Sequence, residues 1–355
     1  MHNFSAGPSI LPQEVLEEAA QGIVNYQNSG LGIIEMSHRG KHFVAVMDEA
    51  MSLVHELTAL GDEYGVVFLS GGASTQFFQI PMNLLDENAR ACYVETGTWA
   101  KNAIKEAGLF GQVEIIASST DKNFTYIPEI PAIPGDARYL HITSNNTIYG
   151  TQYHDYPDAG SIPVVCDMSS DIFSRHTDYS RFGLIYAGAQ KNMGPAGTVL
   201  VIVRKDLLGK VSRKLPTMVD YQTHIDKGSM FNTPPVFPIY VSMLMMRWIK
   251  AVGGITEIEK RNDAKAALLY GEIDRNSLFK GTTAVKDRSK MNVCFVTENP
   301  DHTSEFMQIC ETNGIYGIKG HRSVGGFRAS IYNALPLESV AFLVKLMQQF
   351  EVSKM

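Results

Sequence analysis

One lysine stands where covalent chemistry would be best supported: Lys191, within YAGAQKNMGPAG at 186–197. A run with strand character, 182–187, feeds the small-residue turn that carries it. Gly188 and Ala189 leave room for a flat ligand against the backbone, and Gly194-Pro195-Ala196-Gly197 cannot continue a helix. An arbitrary Gly-Ala-x-Lys is more often a turn with a surface lysine. Here the flanks hold the side chain on a short, fixed loop at a strand end. A lysine so placed can lose water and its proton and act as a Schiff-base amine. A carbonyl cofactor such as pyridoxal 5′-phosphate then requires an acid for its ring nitrogen, a cradle for its phosphate and a face to stack on.

Each requirement has a candidate. Asp167 ends VVCD, which reads as a buried strand, where an unpaired carboxylate is costly. It precedes Lys191 by 24 residues (191 − 167), room for one βαβ-type connection to the neighbouring strand. Taken alone it would read as a helix cap or turn residue; beside Lys191 it would keep a pyridinium nitrogen protonated and make the ring an electron sink. Gly71-Gly72-Ala73-Ser74-Thr75 opens a helix expected over 76–85, and free amides at a helix start bind phosphate. Trp99, one of two tryptophans, follows a strand end and would either pack in the core or stack on a ring. Thr147 and Gln190 would reach the ring hydroxyl and the phosphate. His321-Arg322 and Arg328 surround a glycine pair, and His38-Arg39 forms a second basic cluster. Arginine forks suit carboxylate and phosphate, so the two clusters point to a doubly anionic substrate.

The chain has 355 residues, enough for two domains. With 45% hydrophobic and 19% charged residues the balance is that of a globular protein, and the net charge of −6 gives no footprint for nucleic acid or an anionic membrane. No apolar run reaches the length of a membrane span, and MHNFSAGPSILP lacks the basic start and apolar core of a signal peptide. Cys92, Cys166, Cys294 and Cys310 lie apart in apolar runs without a CxxC. They read as buried thiols in a reducing cytoplasm, with no metal site.

These residues need elements to position them. An extended arm, 1–15, precedes a large domain over 16–254 and a small α+β domain over 255–355. Helices are expected over 12–28 and 43–60. Seven short apolar runs follow, at 66–69, 91–94, 113–117, 139–143, 164–166, 184–187 and 198–203. Several lack polar alternation, which indicates a mostly parallel sheet covered on both faces, an α/β fold with ligands at the carboxyl ends of its strands. An irregular stretch is expected over 210–238, then a helix over 239–251 and a charged, exposed helix over 255–276. Strands at 291–296 and 327–331 and helices at 303–313 and 337–350 complete the small domain.

NFSAGPSILP at 3–12, MSHRGK at 36–41, GGASTQF at 71–77, TGTWA at 96–100, AGAQKNMGPAG at 187–197, FNTPP at 231–235 and GHRSVGGFRASIYNA at 320–334 together resemble the phosphoserine aminotransferases. These are class V pyridoxal-phosphate enzymes of fold type I, and the resemblance covers nearly the whole chain. It implies amino-group exchange between glutamate and 3-phosphohydroxypyruvate in serine biosynthesis, and in relatives a 4-phosphooxy-threonine pair in pyridoxine biosynthesis. It implies that Lys191 holds the cofactor covalently, that Asp167 meets the ring nitrogen and that Trp99 stacks. Ala73, Ser74, Thr147 and Gln190 would contact phosphate and ring. Asn232 and Thr233 would reach the phosphate of the neighbouring subunit in a homodimer. Arg328 would take the α-carboxylate, and His38, Arg39, His321 and Arg322 the distal anion, with His38 and Arg39 serving the partner's site. Some family members carry arginine in place of Ser74, and Asn145-Asn146-Thr147 stands for a more usual Asn-Glu-Thr. A pyridoxal-phosphate lyase or desulfurase would instead need an accessible nucleophilic cysteine, and all four cysteines fall in strand or helix patterns.

Overall fold

Three sheets, of seven, three and two strands, organise the chain, and Ala73, Trp99, Thr147, Asp167 and Lys191 lie at or beyond the carboxyl ends of strands of the largest. A computed structural model describes Met1–Met355. In chain order the strands are β1 (His2–Asn3), β2 (Tyr64–Ser70), β3 (Arg90–Glu95), β4 (Gln112–Ser118), β5 (Ala137–Thr143), β6 (Val164–Asp167), β7 (Leu184–Gly188), β8 (Thr198–Arg204), β9 (Phe279–Gly281), β10 (Asn292–Thr297), β11 (Ile315–Tyr316) and β12 (Phe327–Ser330). The helices are α1 (Gln13–Asn25), α2 (Lys41–Thr58), α3 (Ala73–Leu84), α4 (Thr98–Ala107), α5 (Tyr221–Asp226), α6 (Val236–Ala251), α7 (Gly254–Arg275), α8 (Pro300–Thr312) and α9 (Leu337–Val352).

The seven expected apolar runs form one sheet in the order β2-β8-β7-β6-β5-β3-β4. Only β8 runs antiparallel to its neighbours; every other pairing is parallel. Both faces are covered, which is why β6, β7 and β8 are apolar without alternation. Phe43, Met47 and Val54 of α2 and Leu244 of α6 pack with Phe68, Ile142 and Ile185 on one face. Phe77 and Ile80 of α3 and Ala103 of α4 pack with Val67, Tyr93, Val165 and Tyr186 on the other. Chain order reverses between β3 and β5, since β4 lies outside β3 and the chain then returns to the opposite side. Such a reversal opens a crevice at the strands' carboxyl ends. Trp99 follows β3 and Thr147 follows β5, so the two flank that crevice.

Strands β9, β10 and β12 make an antiparallel sheet, with Phe279, Phe295, Phe306, Phe327 and Phe350 sharing a core with α7, α8 and α9. Between α6 and α7 the chain bends by 85°. Gly253 and Gly254 take φ of +115° and +73° there, a left-handed pair that residues with a Cβ rarely adopt. The N-terminal arm is extended, as expected, and it belongs to both ends of the chain: β1 pairs parallel with β11, and Phe4 is buried in the small core.

Four local expectations change. The link from β6 to β7 contains no α-helix, only a 3-10 turn at Tyr179–Arg181, because buried polar residues such as Asp171 and Ser174 satisfy its backbone locally. The stretch 210–238 is not wholly irregular: α5 lies inside it, capped by Asp220, whose side chain accepts from the Gln222 and Thr223 amides. Helix α3 starts at Ala73, three residues earlier than expected. Helix α7 is not simply exposed; Ile258, Asn262, Lys265, Ala266, Leu269 and Ile273 form a buried stripe at helical spacing beneath its charged face.

Candidate active site

The lysine turn links two antiparallel strands. After β7 the Ala189 N–H bonds the Thr198 carbonyl at 3.1 Å and the Gly194 N–H bonds the Ala189 carbonyl at 2.7 Å. The arm clamps this loop from above: the Ser9 amide bonds the Gln190 carbonyl at 3.0 Å, and the Ser9 hydroxyl donates to the Lys191 carbonyl. Gly7 lies against the lysine stem with φ +146°, and a Cβ there would stand 3.4 Å from Lys191 Cγ. The side chain is therefore held along its length, and Lys191 is only 9% exposed.

Lys191 Nζ donates to Thr147 Oγ1 at 2.6 Å and stands 5.9 Å from the centre of the Trp99 ring. Burial pulls its amine down to about 8, with the Asp167 charge opposing and Arg328 reinforcing the fall. An amine in that range is about one-tenth free base at pH 7 and mostly free base by about pH 9. Asp167, 5% exposed, accepts the Ser169 N–H on Oδ1 at 2.9 Å. Arg328 of β12 donates to the Thr147 carbonyl at 3.3 Å, so Thr147 joins the lysine to the three-stranded sheet.

Helix α3 has no side-chain cap, and the Thr75 amide already bonds the Gly72 carbonyl at 3.0 Å. The Ala73 and Ser74 amides are left facing out of the helix start, as an anion would need. Gln190 reaches the same place: a Cβ on Gly188 would meet its Oε1 at 2.7 Å and the Ala73 nitrogen at 3.4 Å. Trp99 Nε1 and Arg328 Nε are buried without a partner in the chain. Buried donors of this kind are rare unless something else accepts from them. A bare amine, a facing carboxylate, an indole, an uncapped helix start and orphaned donors together fit pyridoxal phosphate.

The outer residues divide into two sets. His321 and Arg322 sit on the 320–326 loop, whose Val324 packs beside Trp99, Phe124 and Tyr149, so this cluster overhangs the site. Burial and then the Arg328 and Arg322 charges lower the His321 imidazole below its ordinary value. The other set is not joined to Lys191 within one chain. Arg39 is exposed with no side-chain partner, His38 Nε2 is buried without one, and the Asn232 side chain bonds only the Thr233 carbonyl, at 3.0 Å. A cavity of about 700 Å3 lies behind the arm between Leu16, Trp248 and Leu335 and contains none of these residues.

Sequence reasoning passed over Asp171, which is buried, accepts from Ser144 and from Gln152 at 3.1 Å, and is pushed upward by burial. It also passed over Asn192, whose Oδ1 accepts the Asn333 amide at 3.1 Å and ties the lysine loop to the chain beyond β12. The SSD run at 169–171 and the YN pair at 332–333 were visible but had no partners until the fold supplied them.

The chain matches the family described as Aminotransferase class-V over residues 1–343. It is 60% identical to the phosphoserine aminotransferase of Flavobacterium johnsoniae, over 99% of this chain and 98% of that one. It is 56% identical to that of Bacteroides fragilis, with the same shares covered. Among solved structures, phosphoserine aminotransferase from Bacillus circulans subsp. alkalophilus superposes with a TM-score of 0.96 at 47% identity, over 99% of both chains. The PLP-bound phosphoserine aminotransferase of Trichomonas vaginalis superposes with a TM-score of 0.92 at 37% identity, over 98% of this chain and 99% of that one.

Proposed function

Because the chain belongs to the class V aminotransferase family, we propose that it is a phosphoserine aminotransferase, exchanging the amino group between L-glutamate and 3-phosphohydroxypyruvate. The products are O-phospho-L-serine and 2-oxoglutarate, in serine biosynthesis. The observation that carries this reading is one buried, partly deprotonated lysine with Arg328 beside it and His321-Arg322 overhanging it. That spacing offers one arginine for a carboxylate at the reacting end and a second cluster for a distal anion.

Bound pyridoxal phosphate supplies a carbonyl that takes up amines and a ring that accepts electrons released at a substrate carbon. The chain's residues do the rest. Lys191 Nζ would hold the cofactor and, once released from it, would serve as the base that takes the proton from the substrate Cα and as the acid that gives it back. Thr147 Oγ1 orients that amine and would hold the ring hydroxyl. Asp167 would hold the proton on the ring nitrogen, and Trp99 would stack on the ring. The Ala73 and Ser74 amides and Gln190 hold the phosphate at the α3 start. Ser74 serves through its amide, so it needs no cationic side chain. Arg328 fixes the α-carboxylate and so aims the Cα–H bond at the lysine. The buried, free thiols accord with a cytoplasmic setting and offer no nucleophile for lyase or desulfurase chemistry.

The test compares amino-group exchange from phosphoserine and from phosphate-free serine. Arg322→Ala should damage phosphoserine use roughly ten- to a hundredfold, the worth of one charge-assisted hydrogen bond, and serine use far less. Equal loss on both substrates would assign Arg322 a purely structural part.

The unjoined residues support a homodimer with shared sites. Arg39 has no side-chain partner in its own chain, and Asn232 reaches no further than the neighbouring Thr233 carbonyl. Close to His38-Arg39 in sequence, Leu31 and Ile34 are 50% and 55% exposed, apolar surface that a second subunit would cover. In a two-fold dimer Asn232 and Thr233 would serve the phosphate, and His38 and Arg39 the substrate, across the axis, twice over. Lys191→Ala and Arg39→Ala, inactive separately, should complement when unfolded and refolded together. Half the dimers would be mixed and each would hold one intact site, so about a quarter of normal activity should return. No recovery, with subunit exchange confirmed and refolded wild type active, would place Arg39 in its own subunit's site.

A further inference from the structure

We propose that Tyr186 and His141 form a layer behind Asp167, in which the Tyr186 hydroxyl, oriented by the His141 imidazole, donates to the Asp167 carboxylate and so keeps the shared proton on the cofactor's ring nitrogen. This rests on the reading that Asp167 faces that nitrogen.

Strand register puts the three side chains together. Asp167 of β6 is the register partner of Tyr186 of β7, and His141 of β5 is the partner of Val165, two residues before Asp167 on the same face. All three are buried, and the Tyr186 hydroxyl lies 2.9 Å from His141 Nε2. Burial, then the adjacent Asp167 charge, then Tyr93 push the Tyr186 hydroxyl well above the usual phenol range, so it keeps its proton.

Burial likewise pulls His141 down to about 3, so the ring is neutral and carries one proton. Its Nδ1 is buried with no partner. A proton on Nδ1 would strand a donor; on Nε2 it is used, donated to the Tyr186 oxygen. The hydroxyl proton is then free to turn to the Asp167 carboxylate, the register partner on the neighbouring strand. The imidazole cannot swing away, because it stacks on Tyr93 at 4.8 Å, and Tyr93 is pinned by its 2.8 Å hydroxyl contact with Tyr139. A donor to a carboxylate stabilises the anion and lowers its proton affinity. With Ser169 N–H on Oδ1 and Tyr186 behind, the Asp167 carboxylate has a donor on each side and is oriented toward the ring nitrogen.

The experiment loads apoenzyme with pyridoxal phosphate labelled with 15N in the ring, and reads the nitrogen resonance and the cofactor dissociation constant. Tyr186→Phe should move the resonance toward that of an unprotonated pyridine and weaken cofactor binding roughly ten- to a hundredfold, the worth of one hydrogen bond to a charged group. His141→Phe should move the resonance the same way by less, and His141→Gln, whose amide can donate to the hydroxyl, should restore it. Asp167→Asn serves as the reference. A resonance that moves in Asp167→Asn but stays at the wild-type position in Tyr186→Phe overturns the proposal and leaves the Asp167 reading intact. If Asp167→Asn leaves it unmoved too, the Asp167 reading falls and this proposal with it. Should Tyr186→Phe not fold, the His141 pair decides: identical resonances for the Phe and Gln variants overturn the proposal.

Discussion

Lys191→Ala should abolish multiple turnover and remove the visible absorption of lysine-bound cofactor. The acid–base part of its work alone is worth about 10²–10⁴ in rate, and loss of the covalent anchor adds to that. Full turnover in this variant would move the chemistry to another residue. The same amine sets a pH signature in wild-type apoenzyme. Its folded value, about 8, lies below that of an ordinary lysine because burial disfavours the charged form. The reactive free base therefore grows as pH rises through 8 and is nearly complete above it. Covalent uptake of pyridoxal phosphate, followed by absorbance, should climb about tenfold between roughly pH 7 and 9 and then level. An unshifted lysine would keep gaining beyond about pH 10.

Asp167→Asn should retain cofactor and lose about 10²-fold or more in rate. The amide replaces the carboxylate's shape, so the surrounding packing and the Ser169 contact at 2.9 Å survive in outline. On the proposed role of Asp167, what disappears is the negative charge that would keep a proton on the ring nitrogen, and with it the stabilisation of charge developing at the substrate carbon. Single-turnover kinetics with glutamate would show the loss in the proton-transfer step with little change in substrate affinity. A near-normal rate would reduce Asp167 to the role its bond to Ser169 N–H already suggests, a turn-closing residue after β6.

The inner site was legible because its parts are local in sequence. Asp167 ends such a strand, and Lys191, Trp99 and Thr147 follow strands that are apolar for a simple reason, burial on both faces; the shared direction of those strands brings their ends to one edge. What stayed hidden depends on register or on distance along the chain. Asp171 and the His141–Tyr186 pair are polar residues inside apolar surroundings, and only strand pairing shows which of them meet. The buried stripe of α7 was masked by the charges between its members, since composition averages over faces that a helix keeps apart. The β6–β7 link was misjudged because length alone does not separate a helix from a loop stabilised by its own buried side chains.

The arm that clamps the lysine loop also sets an order of assembly. All strands of the large sheet have been synthesised once Arg204 is made, and the sheet needs nothing from the chain beyond it to be paired. The arm is made first of all, yet His2 pairs with Ile315, 313 residues downstream (315 − 2), and Phe4 needs the small core. Contacts of such long separation form late, after the loop between them has been closed. A chain emerging from the ribosome can thus hold a finished sheet with Lys191 and Asp167 in place while Ser9 still lacks its anchor. The clamp on the lysine becomes secure only when the second-to-last strand has been made, so competence arrives near the end of synthesis, with Lys191 and Asp167 made long before and Arg328 of β12 still to come.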